Sequence, residues 1–172
     1  MLKLINSRRE LKFSQLMEVY LEGNLENGAE YYPALSKQEQ LIHAEQDFYA
    51  YLAEFFRTAG AFYAVWEENG RYLSALRMEP YRDGLLLEAL ETVLDYRRQG
   101  YGKKLILAAL EALSRENSVA VYSHVDKQNY PSLAIHAACG FSRISENAVY
   151  IDGSVTERSC TLRWLPQSSG TE

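Results

Sequence analysis

The chain has 172 residues, 47% of them hydrophobic and 24% charged, with a formal net charge of -5. That size and balance describe one soluble domain able to bury a core without staples. The acidic balance argues against nucleic-acid binding, which needs a basic face, and leans toward a cationic partner or substrate.

MLKLI reads as a first strand, and the run after it is too short and too charged for a signal peptide. No segment approaches transmembrane length, so no membrane association is expected and the predicted setting is cytoplasmic. From Arg9 onward Phe13, Leu16, Met17, Tyr20 and Leu21 recur at helical spacing. GNLENGAEYYPALS, with two glycines and a proline, is expected to break that helix, and Ser36 to cap the next one. There Leu41, Ala44, Phe48, Tyr51, Leu52 and Phe55 share a face, and Gly60 closes the run. AFYAVWEE and RYLSALRMEP flank Asn69-Gly70, a strong hairpin signal. Asp83-Gly84 is read as a second such turn, introducing LLLEALETVL. That stretch is rich in helix formers, but it continues a meander and runs into a glycine-bearing turn, so a strand is predicted. Residues 101–116 read as a helix and SVAVYSHV as a short strand, and with the strand before them they suggest a parallel pair joined by a right-handed crossover. Asp152-Gly153 separates two late strands, NAVYI and VTERSCTLRW. The expected architecture is a single α+β domain over 1–166 with a polar tail at 167–172. Cys139 and Cys160 form neither a Cys-x-x-Cys pair nor a disulfide framework. No metal site is predicted.

The segment Asp95–Leu105, DYRRQGYGKKL, carries the most chemistry. Two glycines one residue apart stand where a strand turns into a helix. The first helical turn offers unpaired N–H groups and partial positive charge, and glycine lets an anion approach that backbone. Arg97, Arg98, Lys103 and Lys104 add charge, although solvated basic residues on an ordinary loop would look the same. The loop is not a Walker A sequence, and it lacks the third glycine of the dinucleotide fingerprint.

Arg97-Arg-Gln-Gly-Tyr-Gly102 resembles the Arg/Gln-x-x-Gly-x-Gly/Ala loop of the GNAT N-acetyltransferase superfamily. A strand and a helix later, NYPSLAIHAACGF (129–141) resembles its second signature through Asn129, Ser132, Gly140 and Phe141. The resemblance implies a mixed, mostly antiparallel sheet of six to seven strands, about four helices, and a splayed parallel strand pair that binds acetyl-coenzyme A. It places the pyrophosphate on the backbone of Arg97, Arg98, Gln99, Gly100, Tyr101, Gly102 and Lys103. The pantetheine arm is then expected beside a strand end formed by Thr92, Val93 and Leu94, with Asn129 and Ser132 bracing it from the second strand. Asn129 is also suited to cap the helix that Pro131 begins.

The family commonly carries a Tyr, as the acid for the departing thiolate, at the position of His136. An unperturbed imidazole is only about a quarter protonated at pH 7, and its neutral form could still donate one N–H; a buried structural histidine would look the same in sequence. For the base, strand alternation puts Glu88 and Glu91 on opposite faces, so that only one meets the acceptor. Glu91 and His124 are the favoured pair, with Asp126 and Tyr130 as weaker candidates near the same mouth. Glu22, Glu26, Glu30, Tyr31 and Tyr32 could hold a cationic amine or simply form an acidic helix end. The implied activity is acetylation of a primary amine of a small, cationic molecule by direct attack in a ternary complex. A protein or peptide acceptor, or a non-catalytic acyl-CoA-binding module, are the alternatives, and homodimers are common in the family it resembles.

Overall fold

The computed structural model describes residues 1–116 and 119–166, and the expected tail at 167–172 lies outside them. Strands β1 (Leu2–Ile5), β2 (Phe62–Glu68) and β3 (Arg71–Tyr81) form the antiparallel start of the sheet. Asn69 and Gly70 make the tight turn between β2 and β3, with φ of 50° and 78°.

The next turn differs from expectation. Tyr81 pairs with Gly84, so the two loop residues are Arg82 and Asp83, and Arg82 takes the left-handed conformation at φ 52°. Gly84 instead begins β4 (Gly84–Thr92), facing Ala120 of β5 (Ala120–Asp126). A Cβ at Gly84 would lie 2.0 Å from the Ala120 carbonyl oxygen. The glycine therefore serves close strand approach rather than the turn.

The sheet order is β1-β2-β3-β4-β5-β9-β6, with β6 at Ser142–Ser145 and β9 at Ser159–Trp164. Among the described residues only the β4–β5 contact is parallel, bridged by α4 (Tyr101–Glu116). A separate hairpin of β7 (Ala148–Val149) and β8 (Val155–Thr156) sits between β6 and β9. The expected strand VTERSCTLRW is thus divided at Glu157-Arg158, and β6 is an additional strand.

Helices α1 (Phe13–Val19), α2 (Leu21–Tyr31) and α3 (Lys37–Phe55) complete the N-terminal half. Residues 21–31 are helical, contrary to the predicted break. The chain bends only at Tyr20, and Gly28 is where α2 meets α3: a Cβ there would lie 2.6 Å from the Gln40 carbonyl oxygen. Close packing offsets the roughly 1 kcal/mol a helical glycine costs. Ser36 caps α3 as expected, in a reciprocal box with Glu39. With α5 (Tyr130–Ala138) there are five helices among the described residues, against four expected.

Side-chain alternation divides the core into two layers. On one face Leu16, Leu52 and Phe55 pack on Tyr63, Val65 and Ala75; on the other Leu105, Ile106 and Ala109 of α4 pack on Ala64, Leu76 and Leu87. A fully buried Leu or Ile contributes about 1.5–3 kcal/mol, so the α4 stripe firmly seats the helix whose first turn follows β4. Leu133 and Ile135 place α5 on the α4 side.

Candidate active site

The parallel ladder runs from Gly84↔Ala120 to Leu87↔Ser123 and stops, although both strands continue. Beyond that point β4 and β5 splay, leaving a cavity of about 210 Å3. Its walls include Glu88, Glu91, His124, Asn129, Ser132 and His136, so residues of β4, β5 and the 129–141 segment meet there, while none of 95–105 is among them. Val93 donates its N–H to Leu73 on β3 at 2.9 Å. By strand alternation the N–H of Thr92 points the other way, into the gap.

A bulge decides which side chains share a face. Ala75 pairs with Glu91 and Arg77 with Glu88, so two steps on β3 meet three on β4. The extra residue lies at Ala89, whose φ is 52°. An L-residue pays roughly 1–2 kcal/mol for that conformation. The Tyr20 hydroxyl donates to the Ala89 carbonyl at 2.7 Å and holds the bulge. Simple alternation would separate Glu88 from Glu91. The bulge resets the count and turns both toward the α1–α3 face. The expectation of opposite faces is therefore corrected.

On that face Arg77 Nε lies 3.3 Å from Glu88. Burial, then hydrogen bonding to Glu88, pushes the neighbouring Glu79 carboxyl up to about 7. Burial also raises the Glu91 carboxyl above its ordinary value; Arg97 opposes this, and Glu22 and Glu26 add to it. The Glu91 side chain is nonetheless 47% exposed, so solvent screens these effects. His124 sits edge-on between Tyr81 and Tyr150, with ring centroids at 5.4 and 5.1 Å. Neither of its ring nitrogens has a partner, and burial lowers its pKa, so the ring is neutral at pH 7. The Tyr81 hydroxyl donates to the Val149 carbonyl, tying the β7–β8 hairpin over this end of the gap.

The opposite wall belongs to α5. Asn129 Oδ1 accepts the Ser132 N–H at 3.1 Å, which is the capping role expected of it. One turn on, His136 is only 2% exposed and meets Phe141 edge-on at 5.1 Å. Its Nδ1 lies 2.8 Å from the Ser132 carbonyl oxygen. A carbonyl only accepts, so Nδ1 carries the ring proton. Nε2 is buried without a partner, and burial lowers the pKa of the ring.

β4 ends at Thr92, not Leu94. Val93 is buried, and Leu94–Tyr96 form a 3-10 turn. Arg98 and Gly100, with φ of 59° and 83°, then swing the chain into α4 at Tyr101. Lys104 N–H bonds the Gly100 carbonyl at 2.9 Å, while the amides before it have no helical acceptor. Arg98, Gln99, Gly100 and Lys103 are exposed around this anion-seeking turn. A Cβ on Gly102 would meet Leu90 and Thr92 at an ordinary 3.7 Å, so only Gly100 needs to be glycine for its backbone.

A splayed parallel pair leading into such a helix start also marks a known family, and residues 27–141 match the acetyltransferase (GNAT) family. The chain belongs to that family. Solved structures agree with this GNAT fold. The PaiA N-acetyltransferase of Thermoplasma acidophilum, in complex with coenzyme A, has a TM-score of 0.64 at 14% identity, covering 96% of this chain and 99% of that one. The ribosomal-protein-alanine N-acetyltransferase of Brucella melitensis has a TM-score of 0.64 at 18% identity, covering 96% and 99%. Aminoglycoside 6'-acetyltransferase type Ii has a TM-score of 0.64 at 10% identity, covering 97% of each chain. No curated protein gives a significant match.

Some residues of this acetyltransferase point away from their expected partners. Arg97 turns back from the helix start to Glu22 at 2.6 Å, Glu91 at 3.4 Å and the Thr92 carbonyl at 3.2 Å. Asp126 accepts from the Gln128 N–H and is tied to Arg158, which together hold its carboxyl below the usual range. Tyr130 is 72% exposed, and Tyr32 stacks on His43 and bonds Asp47 on α3. Arg77 and Glu79 beside Glu88, and Tyr81 and Tyr150 beside His124, are neighbours of the cavity that sequence reasoning missed. Counting back from the Arg82-Asp83 turn pairs Arg77 with Glu88, so that contact had a signal; Tyr150 had none. Among the described residues no three His, Cys, Asp or Glu side chains are placed to hold a metal, and no helix is long and apolar enough to cross a membrane.

Proposed function

We propose that this chain is an acetyl-coenzyme A-dependent N-acetyltransferase acting on a primary amine of a small, cationic molecule, by direct attack in a ternary complex. The observation that carries the reading is the two-sided gap between β4 and β5. One side presents carboxylates and an unpartnered imidazole; the other presents Asn129, Ser132 and His136. The residues fit the cofactor. The exposed first turn of α4 suits a pyrophosphate, the bare strand edge at Thr92 suits an amide-bearing arm, and the cavity lies where both lead. Acetyl-coenzyme A supplies the acetyl group as a reactive thioester.

The remaining work falls to side chains on the α1–α3 face. Glu88 and Glu91, with Glu22 and Glu26 beyond them, attract an ammonium group to the gap. His124 is neutral and has free ring nitrogens, so it is suited to take the amine proton directly or through water, with Glu91 as its partner. Tyr81 and Tyr150 flank His124 with aromatic surface, so contacts made at that ring are screened less than those of the exposed Glu91. The tied-down β7–β8 hairpin restricts the acceptor end of the gap, which favours a compact molecule over an extended peptide.

The test is a panel of small di- and polyamines, amino sugars and peptides incubated with acetyl-coenzyme A, read as free thiol and acetylated product. Turnover is expected with compact cationic amines. His124→Phe and Glu88→Gln should each lower kcat/KM by about 10- to 1000-fold. Exclusive turnover of peptides would reverse the acceptor assignment, and saturable cofactor binding without any thiol release would leave a binding module.

A further inference from the structure

We propose that His136 accepts a hydrogen bond from the thiol of coenzyme A and does not serve as an acid toward its sulfur. This rests on the acetyl-coenzyme A reading above. The ring is 2% exposed, so bulk water does not compete for it. Its one hydrogen is committed. Nδ1 lies 2.8 Å from the Ser132 carbonyl oxygen and 3.4 Å from the Ser132 hydroxyl, and the carbonyl can only be met by a donor. Nε2 is then a bare lone pair, buried and unpartnered, on a side chain that lines the cavity. A buried acceptor without a donor is costly to maintain, and a thiol is the donor that the cofactor brings to this gap.

The hydrogen balance is consistent with that role. Acetyl transfer forms the N–C bond of the amide and breaks the C–S bond of the thioester. The amine gives up one hydrogen and the sulfur gains one. His136 stays neutral throughout, with its bond to Ser132 intact. The hydrogen released by the amine passes through His124 and water to the departing sulfur, and it ends in an S–H···Nε2 hydrogen bond. His136 thereby holds the product thiol, and the bond is absent while the sulfur carries the acetyl group.

Two measurements test this without an acceptor amine. Calorimetric titration of the wild type should show coenzyme A binding about three- to tenfold tighter than S-methyl-coenzyme A, which keeps the sulfur and lacks the hydrogen. His136→Phe should narrow that ratio toward one, because it removes the acceptor and leaves only the penalty of the added methyl. A wild type indifferent to the missing hydrogen, or a variant that keeps the full preference, overturns the proposal. Long-range 1H–15N spectra of the histidine-labelled wild type supply the second reading and need no variant. Nδ1 should be protonated and Nε2 bare, and the Nε2 resonance should move with coenzyme A but not with the S-methyl compound. A proton on Nε2 at pH 7 overturns the proposal. Binding of neither ligand by the folded wild type would instead overturn the cofactor reading, and this inference with it.

Discussion

Tyr20→Phe removes one oxygen and probes how the face carrying Glu88 and Glu91 is built. In the wild type that hydroxyl donates to the Ala89 carbonyl at 2.7 Å, and Tyr20 is only 6% exposed. The variant keeps the ring and its packing against Phe48 but leaves a part-buried carbonyl without a donor. A lost hydrogen bond of this type with an orphaned acceptor costs about 1–3 kcal/mol. Ala89 already carries roughly 1–2 kcal/mol of left-handed strain, so the bulge has little margin. For a domain of this length, about 2 kcal/mol lowers Tm by ~4–8 °C. Relaxation of the bulge also turns Glu88 and Glu91 out of register with each other, so KM for the amine should rise while Kd for coenzyme A holds. Scanning calorimetry and a kcat–KM separation read both effects, with Tyr31→Phe as a control for Tm alone at a 67% exposed position. A Tm within 1 °C of wild type together with an unchanged KM would refute Tyr20 as the support of the bulge.

Three further outcomes are expected. Gly84→Ala forces a Cβ to within 2.0 Å of the Ala120 carbonyl oxygen, so urea denaturation should show a loss of about 1–3 kcal/mol or more, whereas Gly102→Ala should be nearly neutral. The raised Glu79 carboxyl means that the folded protein holds a proton that the unfolded chain releases. Its contribution to stability is full below pH 4.5 and is lost as pH rises through about 7. Glu79→Gln should remove that decline, on the order of 1–3 kcal/mol between pH 5 and 8, from the difference between variant and wild-type urea curves. Asp126→Asn should leave kcat within about threefold of wild type, because its carboxylate is occupied by Arg158 and the Gln128 N–H; a loss as large as that of His124→Phe would return Asp126 to the list of bases.

Local chemistry explains what could be read in advance. Asn69-Gly70 names its own turn, the α4 stripe is strongly periodic, and the turn at Gly100 needs its glycine. These features located the hairpin, the crossover and the glycine turn into α4 from residues alone. The failures have tertiary causes. Helix α2 survives two glycines because Gly28 is the contact with α3, a benefit that exists only once α3 is in place. Gly84 looked like a turn residue because glycine serves turns and close approaches equally well. The bulge at Ala89 carries no glycine or proline to announce it, and that single residue reversed the facing of Glu88 and Glu91. His136 was visible as a candidate, but its proton placement depends on a carbonyl one helical turn away, and helical spacing alone does not assign a tautomer.

The most direct test of the splayed gap as the cofactor site is a crystal structure with coenzyme A bound. The pyrophosphate should lie against the backbone of Gly100–Lys103, the pantetheine arm between Thr92 and the β5 edge, and the sulfur beside Nε2 of His136. A cofactor seated outside the β4–β5 gap, or one whose sulfur lies away from the α5 wall, would contradict it.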